Sequence, residues 1–477
     1  MSEPRHTSPT DQPGVVGRAA LTLTTWTERW IPDAFIFALV ATIIVVAAAF
    51  AWTPASAADI VDAWGGGFWS LIPFTMQMSL VIITGHVLAT SAPVKRVILA
   101  IAAWPQTPRG AVALVAFFAM TSSWFNWGFS LIFSAVLARA VARRVAGVDY
   151  RALAAASFLG LGSIWAQGLS GSAALQMATP GAVPPQIREI VAGGVLPGGL
   201  IPFTHTIFLW QSLVSVLVEI MVVTIVMWLA TPPAWRARTA ADLGVDLTDH
   251  EPPAPDLRTI SPGAWLEHSI ILPTFIVALG GVYLARYFMR APDALNAITI
   301  DTVNLSFLLL GILLHRTPAR LMHAVQGATP AVWGVLLQFP FYAGIAAVIT
   351  GTHLSRQLAA VFVGVSNATT FPAVVAMYSA VLGVFVPSGG SKWIIEAPYV
   401  MAAAHELKVH LGWVVVAYDL GEALANLLQP FWMLPILGLL GLRARDVMGY
   451  TFVVFLVLAP VVLILVTLLG LTLRYPL

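Results

Sequence analysis

The groups able to do chemistry in this sequence gather in four short stretches, each set inside or beside a long apolar run. The first is Ser122-Ser123-Trp124-Phe125-Asn126-Trp127-Gly128, and the second is Pro387-Ser388-Gly389-Gly390-Ser391-Lys392-Trp393. Hydroxyls, an amide and glycines at a helix break free backbone N–H and C=O groups where water is scarce. A helix that begins at such a break presents N–H groups carrying partial positive charge, which suits an anionic carboxylate, while unwound carbonyls can hold a cation. Candidate anion-binding residues are Ser122, Ser123, Asn126 and Trp127 on one side. On the other they are Ser388, Gly389, Gly390, Ser391, Lys392 and Trp393. The plainer reading is a pair of polar loop tips or N-caps at an interface.

Lys392 has its own cost. A lysine at the centre of a bilayer costs about 2.5–3.5 kcal/mol on insertion scales, so it must be paired or line a cavity. It either attracts the substrate carboxylate or pairs with Glu396, one turn away. The third stretch, VAYDLGEALANLLQP (416–430), puts Asp419, Glu422 and Asn426 on one helical face, with Gly421 and Pro430 loosening the helix. Intramembrane carboxylates point to a proton or cation site; the alternative for Asp419 is solvation at the outer interface. The fourth, GSIWAQGLSGSAALQMATP (162–180), carries Gly162, Gly168 and Gly171 with Ser170 and Ser172. It reads as an unwound span offering carbonyls, or as a close helix contact through small residues. The cation-coupling candidates are therefore Ser170, Ser172, Asp419, Glu422 and Asn426. No metal site is expected beyond Na⁺: His86, His205, His315 and His353 sit near span ends without ligand spacing, and cysteine is absent.

The elements that position these residues are membrane elements. Of 477 residues, 58% are hydrophobic and 10% charged, against the roughly 25% charge of a soluble domain. Net charge is +2, without a basic patch, so no nucleic-acid partner is indicated. Apolar stretches near the spanning length fall at about 31–52, 68–90, 152–178, 203–230, 264–285, 297–314, 331–350, 411–435 and 450–473. Shorter apolar pairs at 110–122 and 128–142, and at 373–386 and 393–404, flank the first two stretches; their length predicts re-entrant hairpins, about 110–142 and 373–404. The expected fold is all-α and polytopic, with about nine full spans plus two hairpins. It divides into a disordered cytoplasmic tail (1–25), a first membrane half (26–230), a cytoplasmic linker (231–263) and a second half (264–477).

Of the 24 Lys and Arg residues, this layout places 17 in cytoplasmic segments and six outside, with Lys392 at a tip. That is the positive-inside bias with the N-terminus cytoplasmic. The chain also repeats itself: FWSLIPFTMQMSLVIITGHVLA (68–89) matches VWGVLLQFPFYAGIAAVITGTHLS (332–355), and an offset of about 265 carries Trp127 onto Trp393. Inverted repeats with broken helices are the signature of alternating-access transporters. P-loop, G-x-S-x-G and H-E-x-x-H motifs are missing, so an enzyme or ATP-driven pump finds no support.

At ERWIPDAFIFAL (28–39), FWSLIPFTMQMSLVIITGHVLA (68–89), FNWGFSLIFSAVLAR (125–139) and PSGGSKWIIEAPYVMAAA (387–404), the chain resembles the bacterial short-chain fatty acid transporter family (AtoE type). GSKWIIEAPYVM and AYDLGEALANLLQP are more distantly similar to the aminobenzoyl-glutamate transporter family, within a larger ion-transporter grouping of inverted repeats with paired hairpins. The resemblance implies a bacterial inner-membrane symporter for butyrate- or acetoacetate-like monocarboxylates, coupled to H⁺ or Na⁺, without a cofactor, and a homodimer in lipid. Where the distant pattern has Arg and Asp, this chain has Asp419 and Glu422, so ion identity does not carry across. A dicarboxylate or aminobenzoyl-glutamate-like substrate, or a passive anion channel, are the competing readings.

Overall fold

The computed structural model describes residues 15–19, 34–70, 72–178, 199–248, 261–291, 300–354, 364–385 and 389–477, with a few isolated positions between them. Residues 15–19 are helical; the rest of the expected N-terminal tail lies largely outside the described residues. Among the described residues the chain is helical, with no strand.

The first half runs α1 (Ala34–Trp52), α2 (Ala57–Gly67), α3 (Ile72–Thr90), α4 (Ala92–Ile101), α5 (Pro108–Phe125), α6 (Trp127–Arg144), α7 (Tyr150–Leu159), α8 (Ser172–Ala178) and α9 (Trp210–Ala230). After the linker and a short α10 (Pro262–Glu267) come α11 (Ile271–Arg290), α12 (Ile300–His315), α13 (Pro318–Ala328) and α14 (Trp333–Gly351). The chain ends with α15 (Phe371–Phe385), α16 (Gly389–Glu406), α17 (Leu411–Asn426), α18 (Leu434–Leu440) and α19 (Ala444–Gly470).

With α4, α10 and α11 set aside, the helices of the two halves can be paired in chain order. Helices α12, α13, α14, α15, α16, α17, α18 and α19 follow the sequence of α1, α2, α3, α5, α6, α7, α8 and α9. The halves also interlock. Helices α1 and α2 pack on α14 of the other half, and α12 and α13 pack on α3. Two glycines, one in each half, make similar close approaches. A Cβ on Gly160 would lie 2.2 Å from the Ala119 carbonyl oxygen, and one on Gly421 would lie 2.1 Å from that of Ala376. Only a residue without a side chain lets α5 meet the broken span after α7, and α15 meet α17, that closely.

Among the described residues four helices are long and apolar enough to cross a membrane, and up to six if each bent pair is one span. The bent pairs are Thr75–Thr90 with Ala92–Ile101, at 77°, and Leu411–Asn426 with Phe431–Leu440, at 71°. The first bend was not expected; Ser91 as N-cap with a proline in the first turn of α4 is its cause. On α11, Ile271, Phe275 and Leu279 are each more than 60% exposed. Such a row of bare apolar side chains needs lipid as its solvent.

The linker is partly docked. The Arg238 N–H donates to buried Asp149 and its carbonyl accepts from Tyr150, while Arg139 reaches the carbonyls of Asp246 and Leu439. Residues 249–260 lie outside the described residues.

Candidate functional site

Asn126 alone joins the first hairpin. Its backbone is extended, at φ −157° and ψ 120°, and it closes α5 while its Oδ1 accepts the Phe129 N–H at 2.9 Å to open α6. An asparagine favours this cap because its short side chain replaces a missing backbone acceptor. The arms fold back on each other, with the Ser130 hydroxyl donating to the Ala119 carbonyl. Both arms exceed the apolar runs that announced them. At 18 residues each is about 27 Å long, close to the ~30 Å hydrocarbon core. The reason is capping: the Thr107 side chain caps α5, and Arg143 and Arg144 complement the C-terminal end of α6. Arms of this length do not by themselves distinguish a re-entrant hairpin from two spans.

The tip touches a broken span. From Tyr150 the helix runs to Leu159, loosens into a π-turn (Gly160–Ile164) and a 3₁₀ turn (Trp165–Gln167), opens at Gly168, and resumes at Ser172. The glycines and serines of that stretch mark the unwinding correctly. The Leu169 N–H donates to the Trp124 carbonyl at 2.8 Å, and the Trp127 N–H donates to the Ser170 hydroxyl at 3.2 Å. The Trp127 ring also meets Trp432, in the break of the second half, with centroids 5.3 Å apart. Ser122 is half-buried and donates to the Phe118 carbonyl, whereas Ser123 is fully buried.

The second tip converges on the same place. Ser388 lies outside the described residues, as does the side chain of Ser391. Gly389 begins α16, and a Cβ there would lie 3.1 Å from the Glu422 Cγ, 3.3 Å from the Trp165 ring and 3.5 Å from the Ser172 Cβ. The Gly389 carbonyl accepts the Tyr418 hydroxyl; that of Gly390 accepts the Gln176 amide at 2.8 Å.

Lys392 is 2% exposed. Its Nζ lies 2.6 Å from Glu422 Oε2, donates to the Ser379 carbonyl and hydroxyl at 2.8 and 3.1 Å, and sits 4.9 Å above the Tyr418 ring. The pairing with Glu396 on the same helix is thus replaced by a pair across the α16–α17 contact. Glu396 is buried nearby, and Trp393 is buried against Tyr418.

Asp419 is fully buried, so solvation at an interface does not describe it. Its carboxylate accepts the N–H groups of Ala173 and Ala174 at 3.2–3.3 Å. It thereby caps the resumed helix α8, where a negative charge suits the free N–H groups. Asn426 donates to the Leu161 carbonyl at 3.0 Å and accepts from Gln429 at 2.8 Å, satisfying the π-turn of the other half. Sequence reasoning brought Asp419, Glu422 and Asn426 to one face; of the three, Asp419 and Asn426 bond the broken span of the first half, while Glu422 pairs with Lys392 of the second tip. It missed Ser379, which carries no local signal. It also missed Glu219, a carboxylate alone in the apolar α9, and its partner Gln167.

Four buried donors around this junction have no hydrogen-bond partner: the Ser123 hydroxyl and the indole N–H groups of Trp124, Trp165 and Trp393. They come from the first tip, the broken span and the second tip. Buried donors of this kind ordinarily find partners.

The sequence matches the family described as short chain fatty acid transporter over residues 15–469. Two relatives carry the name "Putative short-chain fatty acid transporter". The one from Escherichia coli (strain K12) is 40% identical over 437 residues, 91% of this chain and 96% of that protein. The one from Haemophilus influenzae (strain ATCC 51907 / DSM 11121 / KW20 / Rd) is 35% identical over 457 residues, 94% and 99% of the two chains. A solved structure, the Alcanivorax borkumensis YdaH transporter, covers 95% of this chain and 97% of its own at 17% identity, with a TM-score of 0.43. With the family spanning nearly the whole chain and relatives this close, the chain belongs to the short-chain fatty acid transporter family and is a multi-pass membrane transporter, not an enzyme.

Proposed function

We propose that this protein is an inner-membrane symporter that takes up short-chain monocarboxylates such as butyrate or acetoacetate together with H⁺ or Na⁺, by alternating access. The carboxylate binds where the two hairpin tips meet the broken spans. The observation that carries this reading is the set of four buried, unpartnered donors at that junction, Ser123, Trp124, Trp165 and Trp393. A carboxylate offers two acceptor oxygens, and the apolar tail of a short fatty acid suits the three indole rings that supply the N–H groups.

The electrostatics call for a cation. Moving a monoanion inward against about 100 mV costs about 2.3 kcal/mol, which one co-transported cation cancels and a second turns into a driving force. The Lys392–Glu422 pair and the Asp419 cap join the second tip to both broken spans, so a cation arriving there can alter how the tip is held. The chain-order pairing of the helices and the crosswise packing of α1 and α2 on α14, and of α12 and α13 on α3, support two halves of opposite orientation that rock or slide about the junction. The cytoplasmic excess of Arg and Lys supports a cytoplasmic N-terminus.

The test is uptake of labelled acetoacetate or butyrate into proteoliposomes, minus the flux into protein-free vesicles, under imposed Na⁺, pH or voltage gradients. Uptake above the vesicle background, stimulated by one of the cation gradients and showing counterflow exchange, is expected. Gradient-independent flux without counterflow would mean a passive pathway. A preference for succinate or aminobenzoyl-glutamate would overturn the substrate class.

A further inference from the structure

Helix α9 carries one ionisable residue. Glu219 is the tenth of its 21 residues, about 14 and 17 Å from the two ends, and is fully buried. That puts a carboxyl near the middle of a span with no basic partner. Its Oε1 accepts the Gln167 amide at 2.6 Å and the Ser215 hydroxyl at 2.7 Å. Its Oε2 is buried and has no hydrogen-bond partner, and neither has the Oε1 of Gln167.

Gln167 gives the pair its significance. It is the last residue of the 3₁₀ turn that ends the first part of the broken span. The next residue, Gly168, lies against the Trp124 carbonyl of the first tip, and Trp165 in the same turn lies against Gly389 of the second. One hydrogen bond therefore separates Glu219 from the segment on which both tips rest.

Among the described residues no other charge reaches this carboxyl. Of the groups on helices packed against α9, Arg109 of α5 lies over Trp228, more than two turns along α9. On α7, Arg151 is paired with Asp149 and Tyr150 donates to the Leu440 carbonyl. On α19, Gln211 of α9 bonds Thr472 at the opposite end from Arg445, Asp446 and Tyr450, so Tyr450 stands about 20 Å from the level of Glu219. A bare negative charge here would have no compensation, which is costly in hydrocarbon, whereas a proton on Oε2 removes it.

We propose that Glu219 is a proton-binding site that releases and regains its proton as the 165–171 break rearranges. The balance is simple: Oε2 gains H⁺ and the carboxyl becomes neutral, while Oε1 keeps its bonds from Gln167 and Ser215. On release the carboxylate needs more donors, and Gln167 can supply them only if the turn that carries it moves. The site stands on geometry alone; its role in driving uptake rests on the transport reading above.

Infrared difference spectroscopy of the purified protein in lipid tests it, comparing wild type with Glu219→Gln and Glu219→Asp across about pH 5–9. Expected is a protonated-carboxyl C=O band that titrates in wild type, is lost in Glu219→Gln and is shifted in Glu219→Asp. A spectrum unaltered by Glu219→Gln, in a variant whose thermal stability shows it folded, overturns the site, as does a Glu219 band that never titrates. In proteoliposomes, Glu219→Gln is expected to keep counterflow exchange but lose the roughly tenfold accumulation that one proton per substrate draws from one pH unit. Accumulation equal to wild type overturns the coupling role. A titrating Glu219 band in a protein without carboxylate flux would sink the transport reading and leave the site standing.

Discussion

Replacing Lys392 by Met removes one partner of a fully enclosed ion pair and leaves the other. The Nζ–Oε2 separation of 2.6 Å corresponds to a gross attraction of about 6 kcal/mol at an effective dielectric constant of 20. Most of that is offset by the desolvation of the two ions, so the intact pair contributes little net stability. Its loss is another matter. Glu422 would remain buried beside Gly383 and Gly389 without its counter-ion, the Ser379 carbonyl and hydroxyl would lose their donor, and the contact with the Tyr418 face would go. Removing one member of a buried pair costs about 3–5 kcal/mol, which should lower the melting temperature by on the order of 5–10 °C. The double variant Lys392→Met with Glu422→Leu removes both charges and should recover at least half of that loss. The assay is thermal unfolding followed by size-exclusion chromatography of the solubilised protein. A double variant as unstable as the sum of the singles would refute the reasoning, because the two side chains would then act independently.

Two further perturbations address the frame around the site. Gly421→Ala and Gly160→Ala push a methyl group into the backbone carbonyls of Ala376 and Ala119, and each should destabilise by about 1–3 kcal/mol or more despite the helix preference of alanine. The exposed-side control Gly281→Ala, with open space around it, should be neutral or slightly stabilising; equal effects at all three positions would discard the close-approach argument. His410 lies just ahead of α17, where its Nδ1 accepts the Trp413 N–H as an N-cap. Burial, with His205 alongside, pushes its imidazole down from 6.5 to about 4. A value depressed on folding contributes stability that is complete above 6.5 and is lost as the pH falls through about 4. Melting temperature should therefore fall across that window, and His410→Asn, which keeps a cap acceptor without a titrating ring, should flatten the slope. An unchanged slope would rule the histidine out.

The site was legible in the sequence to the extent that its causes are local. Asn126 between two apolar runs announces a helix joint because capping needs only a few neighbouring residues. The glycines at 162, 168 and 171 announce unwinding for a similar reason. Asp419, Glu422 and Asn426 fall on one face by helical spacing alone. What each of those side chains bonds was not legible, because Asp419 caps a helix some 245 positions away and Lys392 chooses Glu422 over the nearer Glu396. The crosswise packing of α1 and α2 on α14 escaped for the same reason: apolar periodicity marks a buried face but not the partner that buries it. Glu219 did leave a signal, a single acid in WQSLVSVLVEIMVVTIVMWLA, which is expensive in hydrocarbon unless it has a function or a partner.

The central claim, that the carboxylate sits where both tips meet the broken spans, is most directly tested by substrate protection of introduced cysteines, since the natural chain has none. Ser170→Cys and Gly390→Cys place thiols at the junction, and Val61→Cys, on an exposed face of α2, serves as control. Butyrate should slow maleimide alkylation at positions 170 and 390 and leave 61 untouched. Alkylation at both junction positions that proceeds at the same rate with saturating butyrate as without it would contradict the account.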